Sequence, residues 1–311
     1  MGVHVAEYFG QRTDVAETIQ PAYIPTSKDD PDLPLCPFSA GNTCRKLKSK
    51  YEPVCSVRTD EGDLWIVCPE RLCTTKKDLP LCEHQIKILT NIADHVFKPG
   101  LQADEICIRR EVNLNVFGSG KYHADYVMTT STGVSGTSGP DRLVLEMQGG
   151  GETTDTGPLT RNVKSWRKNE NRDNEMLRQR ASTSPLPANA WRRQQEQFLV
   201  KGDVAMKTWK GLGIAFCVGT ILYDYIMEKV RPASIPDLKE YNWTLCLMAI
   251  KEDETAPVAP GPIPLVVDES RILYTNYQTF VQALINRGEP TLEAFQGEFL
   301  GLNNEYYYIE F

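Results

Sequence analysis

No stretch of this chain is long and apolar enough to cross a bilayer, which takes about 20 consecutive residues. The best candidate, residues 212–223, is short, contains glycine and is bracketed by Lys210 and Asp224. No secretory leader is visible at Met1-Gly-Val-His-Val5, so the expected setting is a prokaryotic cytoplasm, where disulfides do not persist. Internal repeats are absent. Positive charge is also scarce: 34 Lys/Arg stand against 41 Asp/Glu, for a net charge of -7. That balance argues mildly against nucleic acid, because DNA binders draw affinity from positive charge. With 311 residues the chain is long enough to bury a full core without covalent staples, as one large or two smaller domains.

The scarcity of positive charge is uneven. Between Arg161 and Lys210 there are 12 Lys/Arg and 5 Asp/Glu, a local charge of +7. The C-terminal third, with Asp253, Glu254, Asp268 and Glu269, is acidic. The basic segment reads either as a solvated helix face or as a surface for phosphates.

Cysteine is plentiful, yet no tight C-x-x-C pair is present. Cys36, Cys44, Cys55 and Cys68 fall within one Lys- and Pro-rich stretch. In a reducing compartment four clustered thiols suggest a tetrahedral thiolate site for zinc or a single iron; they could equally be small buried apolar residues. Cys73 and Cys82 are possible substitute ligands. Cys107, Cys217 and Cys246 lie in apolar runs and read as core.

The chemistry concentrates at Arg142-Leu-Val-Leu-Glu-Met-Gln148, with His123-Ala-Asp125 just upstream. On a strand, Leu143, Leu145 and Met147 point one way and Val144, Glu146 and Gln148 the other. Asp125 and Glu146 could then share a Mg²⁺, a hard cation that takes oxygen ligands alongside phosphate. Gln148 can orient water but carries no charge. Glu111, one strand earlier, is a candidate extra carboxylate, and His123 would share the face of Asp125. Beyond the strand, Arg161, Lys164, Arg167, Lys168 and Arg172 occupy a stretch read as loop-rich. Arg192, Arg193, Gln197 and Lys201 follow on a helix, the last three at i, i+4, i+8 and so on one face.

Ala6-Glu-Tyr-Phe-Gly-Gln-Arg12, Cys36-Pro-Phe38, Trp65-Ile-Val-Cys-Pro-Glu-Arg71, Val144-Leu-Glu-Met-Gln148 and Asn189-Ala-Trp-Arg-Arg193 together resemble the NotI family of type II restriction endonucleases. The similarity continues weakly in the Pro-rich segment near residues 257–264, so it spans most of the chain. It implies a PD-(D/E)xK core, a mixed sheet flanked by helices, with an N-terminal four-cysteine metal-binding module over residues 1–80 and a nuclease domain over 81–311. It further implies Cys36, Cys44, Cys55 and Cys68 as ligands of a structural iron, and Asp125, Glu146 and Gln148 as a Mg²⁺-dependent active site. The implied reaction is cleavage of double-stranded DNA at a palindromic, GC-containing site, leaving 5′-phosphate ends. Its partners would be a second copy of the chain and, in the cell, a cognate methyltransferase. Two-fold symmetry of the DNA asks for the homodimer. The chain departs from that family in being shorter at its C-terminus, without a basic tail there.

Periodicity supplies the rest. Residues 78–97 read as a helix; 106–114, 122–129 and 143–148 as strands; 188–208 as a helix; 211–218 and 243–250 as buried strands; 277–286 as a final amphipathic helix. Strands and helices mix after a three-strand antiparallel start, an α/β arrangement. Two other functions remain open: a non-catalytic DNA-binding module in which Gln148 marks a decayed site, and a thiolate redox protein without DNA affinity.

Overall fold

The computed structural model describes residues 2–15, 19, 34–39, 42–48, 52–72, 80–115, 121–207, 212–286 and 296–310. Cys73, most of the Pro21–Pro34 stretch, the Gly/Ser connection at 116–120 and Lys210 lie outside them. Among the described residues no helix is long and apolar enough to cross a membrane.

The chain is α/β. A short sheet comes first, from β1 (Val3–Tyr8), β2 (Gln11–Arg12), β3 (Val54–Thr59) and β4 (Leu64–Ile66), in the order β2-β1-β3-β4. The one-turn helix α1 (Arg45–Lys48) precedes β3. Helix α2 (Glu83–Val96) then leads into the main sheet. Its strands are β5 (Ile106–Asn115), β6 (Lys121–Thr130), β7 (Arg142–Gln148), β8 (Leu212–Gly219), β9 (Leu245–Glu252) and β10 (Leu265–Thr275), ordered β10-β9-β8-β7-β6-β5. The β5-β6-β7 meander is antiparallel as its alternation predicts, and β7-β8-β9 is parallel. Helices α3 (Gly157–Lys168) and α4 (Pro187–Lys207) lie between β7 and β8, α5 (Thr220–Val230) follows β8, and α6 (Tyr277–Ile285) follows β10. A hairpin of β11 (Gly297–Leu300) and β12 (Tyr306–Ile309) ends the chain.

The two faces of the main sheet bury different sets of residues, as the period-2 pattern requires. Leu143, Leu145 and Met147 of β7 pack with Ile88, Leu89, Ile92 and Val96 of α2. Val144 joins Phe198 of α4, Leu222 and Ile226 of α5 and Phe280 of α6 on the other face. Val3, Val5, Val57 and Trp65 of the first sheet belong to that same cluster, with Leu159, Val163 and Trp166 of α3.

Two helices depart from the sequence pattern. The stretch carrying Arg161 to Lys168 forms α3 rather than a loop, held by Leu159, Val163 and Trp166 at i, i+4, i+7. The apolar run 212–223 is a strand only to Gly219; there the chain turns into α5. Gly219 has a steric reason, since a Cβ on it would meet the Gly149 carbonyl oxygen at 2.2 Å.

Helix α4 sets the position of the site. Phe198 is 1% exposed and its ring lies 5.0 Å from Phe216, 5.8 Å from Phe280 and 5.9 Å from both Trp191 and Tyr277, centroid to centroid. Truncating such a side chain typically costs about 3–5 kcal/mol. Gly202 lets the helix approach α6 closely, because a Cβ there would meet the Tyr277 ring at 2.0 Å.

Candidate active site

The β6–β7 ladder pairs Thr129 with Arg142 through Tyr126 with Leu145, then stops. At the next step the Asp125 side chain replaces the ladder: its Oδ2 accepts the Met147 N–H at 2.9 Å. The Asp125 N–H lies 3.4 Å from Glu146 Oε1. The two strands therefore separate where the two carboxylates stand side by side. Glu111 and His123 join Asp125 around a cavity of about 440 Å³, with Tyr122, Glu196, Gln197 and Lys201. Glu111 has φ of 47° inside β5. A non-glycine residue in that region stores about 1–3 kcal/mol of strain and is found where surrounding structure enforces it.

Glu146 is buried, 4% exposed, and so is Lys201, 2% exposed. Lys201 Nζ donates to Glu146 Oε2 at 2.6 Å. Burial first, and then the neighbouring Asp125 charge, push the Glu146 carboxyl up to about 8, against the pull of Lys201. Glu146 therefore holds its proton more tightly than an ordinary carboxyl does.

The spacing of Arg193, Gln197 and Lys201 suggests one polar face able to approach the scissile phosphate; Arg193 and Gln197 are exposed, whereas Lys201 is enclosed. The signal is nonetheless present: Trp191, Gln194, Phe198, Lys201 and Ala205 recur at i+3/i+4, the inward stripe of α4. A lysine and a glutamine on an apolar stripe need buried partners, and both have them. Gln194 Nε2 donates to Gln148 Oε1 at 3.0 Å, and Gln148 Nε2 donates to the Gly150 carbonyl. Gln148 lines a neighbouring cavity of about 830 Å³ with Gly149–Gly151, Arg193 and Gln194. Gln197 lines both cavities. The glycines after β7 answer to packing. A Cβ on Gly150 would meet the Trp65 ring at 2.7 Å, and one on Gly149 would meet Ile66 at 2.6 Å.

The basic residues divide into two sets. Arg161, Lys164 and Lys168 on α3 and Arg192 on α4 are exposed. Arg167 is tied inward, donating to the Tyr8 hydroxyl at 2.7 Å and lying 3.0 Å from Glu52. Arg193 pairs with Glu152 at 2.8 Å. Arg172 lies over the Trp166 ring, 5.7 Å from its centroid.

The cysteines gather at the first sheet. Cys36, Cys55 and Cys68 share a buried cluster with Phe38, and Cys82 packs against it. Cys44 is buried and lies within electrostatic reach of both Cys36 and Cys68. Burial pushes the Cys36 thiol up to about 12 and raises Cys55 and Cys68 as well. The Gly10 N–H donates to Cys55 Sγ at 3.3 Å, an interaction that favours a thiolate. No group of three or more His, Cys, Asp or Glu among the described residues is arranged to hold a metal ion. Cys82 caps α2, its N–H donating to Gln85 Oε1 at 3.1 Å.

Four sequence motifs meet beside these thiols in one buried ion pair. Arg71 Nε donates to Glu7 Oε2 at 2.8 Å, both side chains being fully buried. The Ser56 hydroxyl and the Ile263 N–H also donate to Glu7, at 2.6 and 2.8 Å. Arg71 donates to the Ile263 carbonyl and contacts His84 Nε2, and its guanidinium covers the Phe38 ring at 4.8 Å. Comparison with protein-family models and with curated proteins gives no match for this chain.

Proposed function

We propose that the protein is a divalent-metal-dependent endonuclease cleaving double-stranded DNA, in the manner of NotI-like type II restriction enzymes. The supporting observation is the pair Asp125 and Glu146, side by side where the β6–β7 ladder ends, with Asp125 lining a polar cavity and Glu146 buried behind it. A two-carboxylate donor set suits Mg²⁺, which keeps several waters and shares its remaining shell with phosphate. Such a cation would favour the ionised form of Glu146, which burial and the Asp125 charge disfavour. Bound there, it would supply positive charge to the phosphoryl oxygens and lower the pKa of an attacking water.

The chain's own residues divide the remaining work. Asp125 and Glu146 would hold the cation, with Glu111 lining the same cavity as Asp125. Gln148, fixed by Gln194 and Gly150, would border the path of the DNA strand. Exposed Arg161, Lys164 and Arg192 would meet phosphates or guanine edges. A homodimer would read a palindromic, GC-containing site and leave 5′-phosphate ends, with a cognate methyltransferase protecting host DNA. The four buried thiols have the right chemistry for one structural iron or zinc, which they would hold after closing to a tetrahedral arrangement. Such a metal would stabilise the first sheet without entering the reaction.

Incubation of the purified protein with genomic DNA of known sequence, with Mg²⁺ and with EDTA, tests the reading. Discrete fragments whose mapped ends share one sequence are expected with Mg²⁺ only. Intact DNA with every divalent ion tried, despite tight duplex binding, would instead favour the non-catalytic DNA-binding module.

A further inference from the structure

We propose that Lys201 is the catalytic cation of this site, a lysine carried by α4 in place of one on strand β7. The proposal rests on the nuclease reading above. Two residues beyond Glu146 the strand offers Gln148, and its amide is engaged at both ends, by Gln194 and by the Gly150 carbonyl. Gln148 lines the neighbouring cavity and does not line the acidic one. Lys201 lines the acidic cavity together with Asp125 and Glu111.

An ammonium has three N–H donors. Among the described residues one acceptor, Glu146 Oε2, is placed on Lys201 Nζ. The remaining donors can serve a phosphoryl oxygen in the cavity. Stability alone does not explain the pair, because a buried ion pair is often no better than apolar residues of similar volume. Position 201 lies between Phe198 and Ala205 on an inward stripe where an apolar residue would pack.

The step needs no proton from Lys201. Water oxygen bonds to phosphorus as the P–O3′ bond breaks with its electron pair on O3′. The proton released by the water reaches O3′ through solvent, leaving a 5′-phosphate and a 3′-hydroxyl. Negative charge grows on the non-bridging oxygens meanwhile, and the Lys201 N–H groups donate to one of them. Donors aimed at such developing charge are worth about 10²–10³-fold in rate.

Lys201→Met and Lys201→Arg in the full-length protein test this. Single-turnover cleavage is measured with Mg²⁺, and duplex affinity with Ca²⁺. Lys201→Met should cleave at least about 100-fold more slowly while its duplex affinity stays within about threefold. Lys201→Arg should recover at least about tenfold of that loss. If Lys201→Met fails to fold, Lys201→Gln, which keeps a polar partner for Glu146, carries the same expectation. Cleavage by the Met or Gln variant within about threefold of wild type would overturn the assignment, with the nuclease reading intact. So would rate and affinity falling together in step with a loss of folded protein. Absence of cleavage by the wild-type protein with any divalent ion would overturn the nuclease reading and this assignment together.

Discussion

Among the described residues two acid–base pairs have both side chains buried, and they are built differently. Glu7 and Arg71 are both fully buried, and Glu7 also accepts from Ser56 and Ile263, so the charge is shared among several donors. Glu146 has Lys201 on one side and a second carboxylate, Asp125, on the other, and both of those neighbours line a cavity. The first arrangement is satisfied and joins segments far apart in the chain. In the second, burial and the Asp125 charge make the Glu146 carboxyl hold its proton. Polar groups saturated by partners hold a fold together, whereas those left short of a partner mark where a ligand would enter.

The largest effect should come from the two neighbouring carboxylates at the second pair. Asp125→Ala and Glu146→Ala should each lower cleavage by at least about 10³-fold, roughly 4 kcal/mol of transition-state stabilisation. Duplex binding in Ca²⁺-free buffer should persist, since the exposed cations are untouched. Gel-shift and cleavage assays on the same preparations separate the two, and full activity in both variants would erase the distinction between the pairs.

Arg71→Met should act on stability instead. It leaves Glu7 charged and fully enclosed, a change that typically costs about 3–5 kcal/mol. Lys201→Met, in metal-free protein near pH 6, should cost less, about 1–2 kcal/mol, because Glu146 is already raised to about 8 and can take up a proton. Denaturant unfolding of the two variants checks the order. Equal losses would mean that both pairs are structural.

Much of the fold is legible in the sequence itself. Alternation places β5 to β7, continuous apolar runs place β8 and β9, helical periodicity places α2 and α6, and the Asn189 cap with its long polar residues places α4. Helix α3 is hidden because only Leu159, Val163 and Trp166 face inward among charged neighbours. Helix α5 is hidden because its apolar residues continue those of β8, with Gly219 the only break. The Glu7–Arg71 pair leaves no local trace, since its partners lie 49 to 256 residues from Glu7. Asp125 and Glu146 are legible because a strand fixes the direction of each side chain. The place of Lys201 depends on whether α4 turns it inward, which follows from the packing of Phe198 and Gly202 against other elements.

The Glu146 site should also respond to pH. Glu146 has a folded-state pKa above the ordinary carboxylate value of 4.5, at about 8. The folded protein therefore binds a proton more tightly than the unfolded chain does. Its contribution to stability is fully present below the unfolded value and is lost as pH rises through the folded one. Metal-free protein should lose stability between about pH 4.5 and 8, with a slope no steeper than about 1.4 kcal/mol per pH unit from this group. Glu146→Gln should flatten that slope. A wild-type profile that rises across the window, or an unchanged slope in the variant, would remove the electrostatic distinction.

The smallest effects extend the same comparison to the surface. Arg161 and Lys164 are exposed on α3, and no ion pair to them is found among the described residues. Arg193 faces Glu152 at 2.8 Å, and Arg167 faces Glu52 at 3.0 Å. A cation that neutralises a phosphate releases counterions, and the slope of log affinity against log salt changes by about 0.9 for each such contact. Arg161→Ala and Lys164→Ala should each reduce that slope by about that amount. Arg193→Ala and Arg167→Ala should change it less, because their carboxylate partners already balance them. Arg167→Ala should also lower stability, having lost the Tyr8 hydroxyl. Duplex affinity measured from low to moderate salt reads all four. If the paired arginines change the slope as much as the unpaired cations, being satisfied inside the protein does not predict what remains free for DNA.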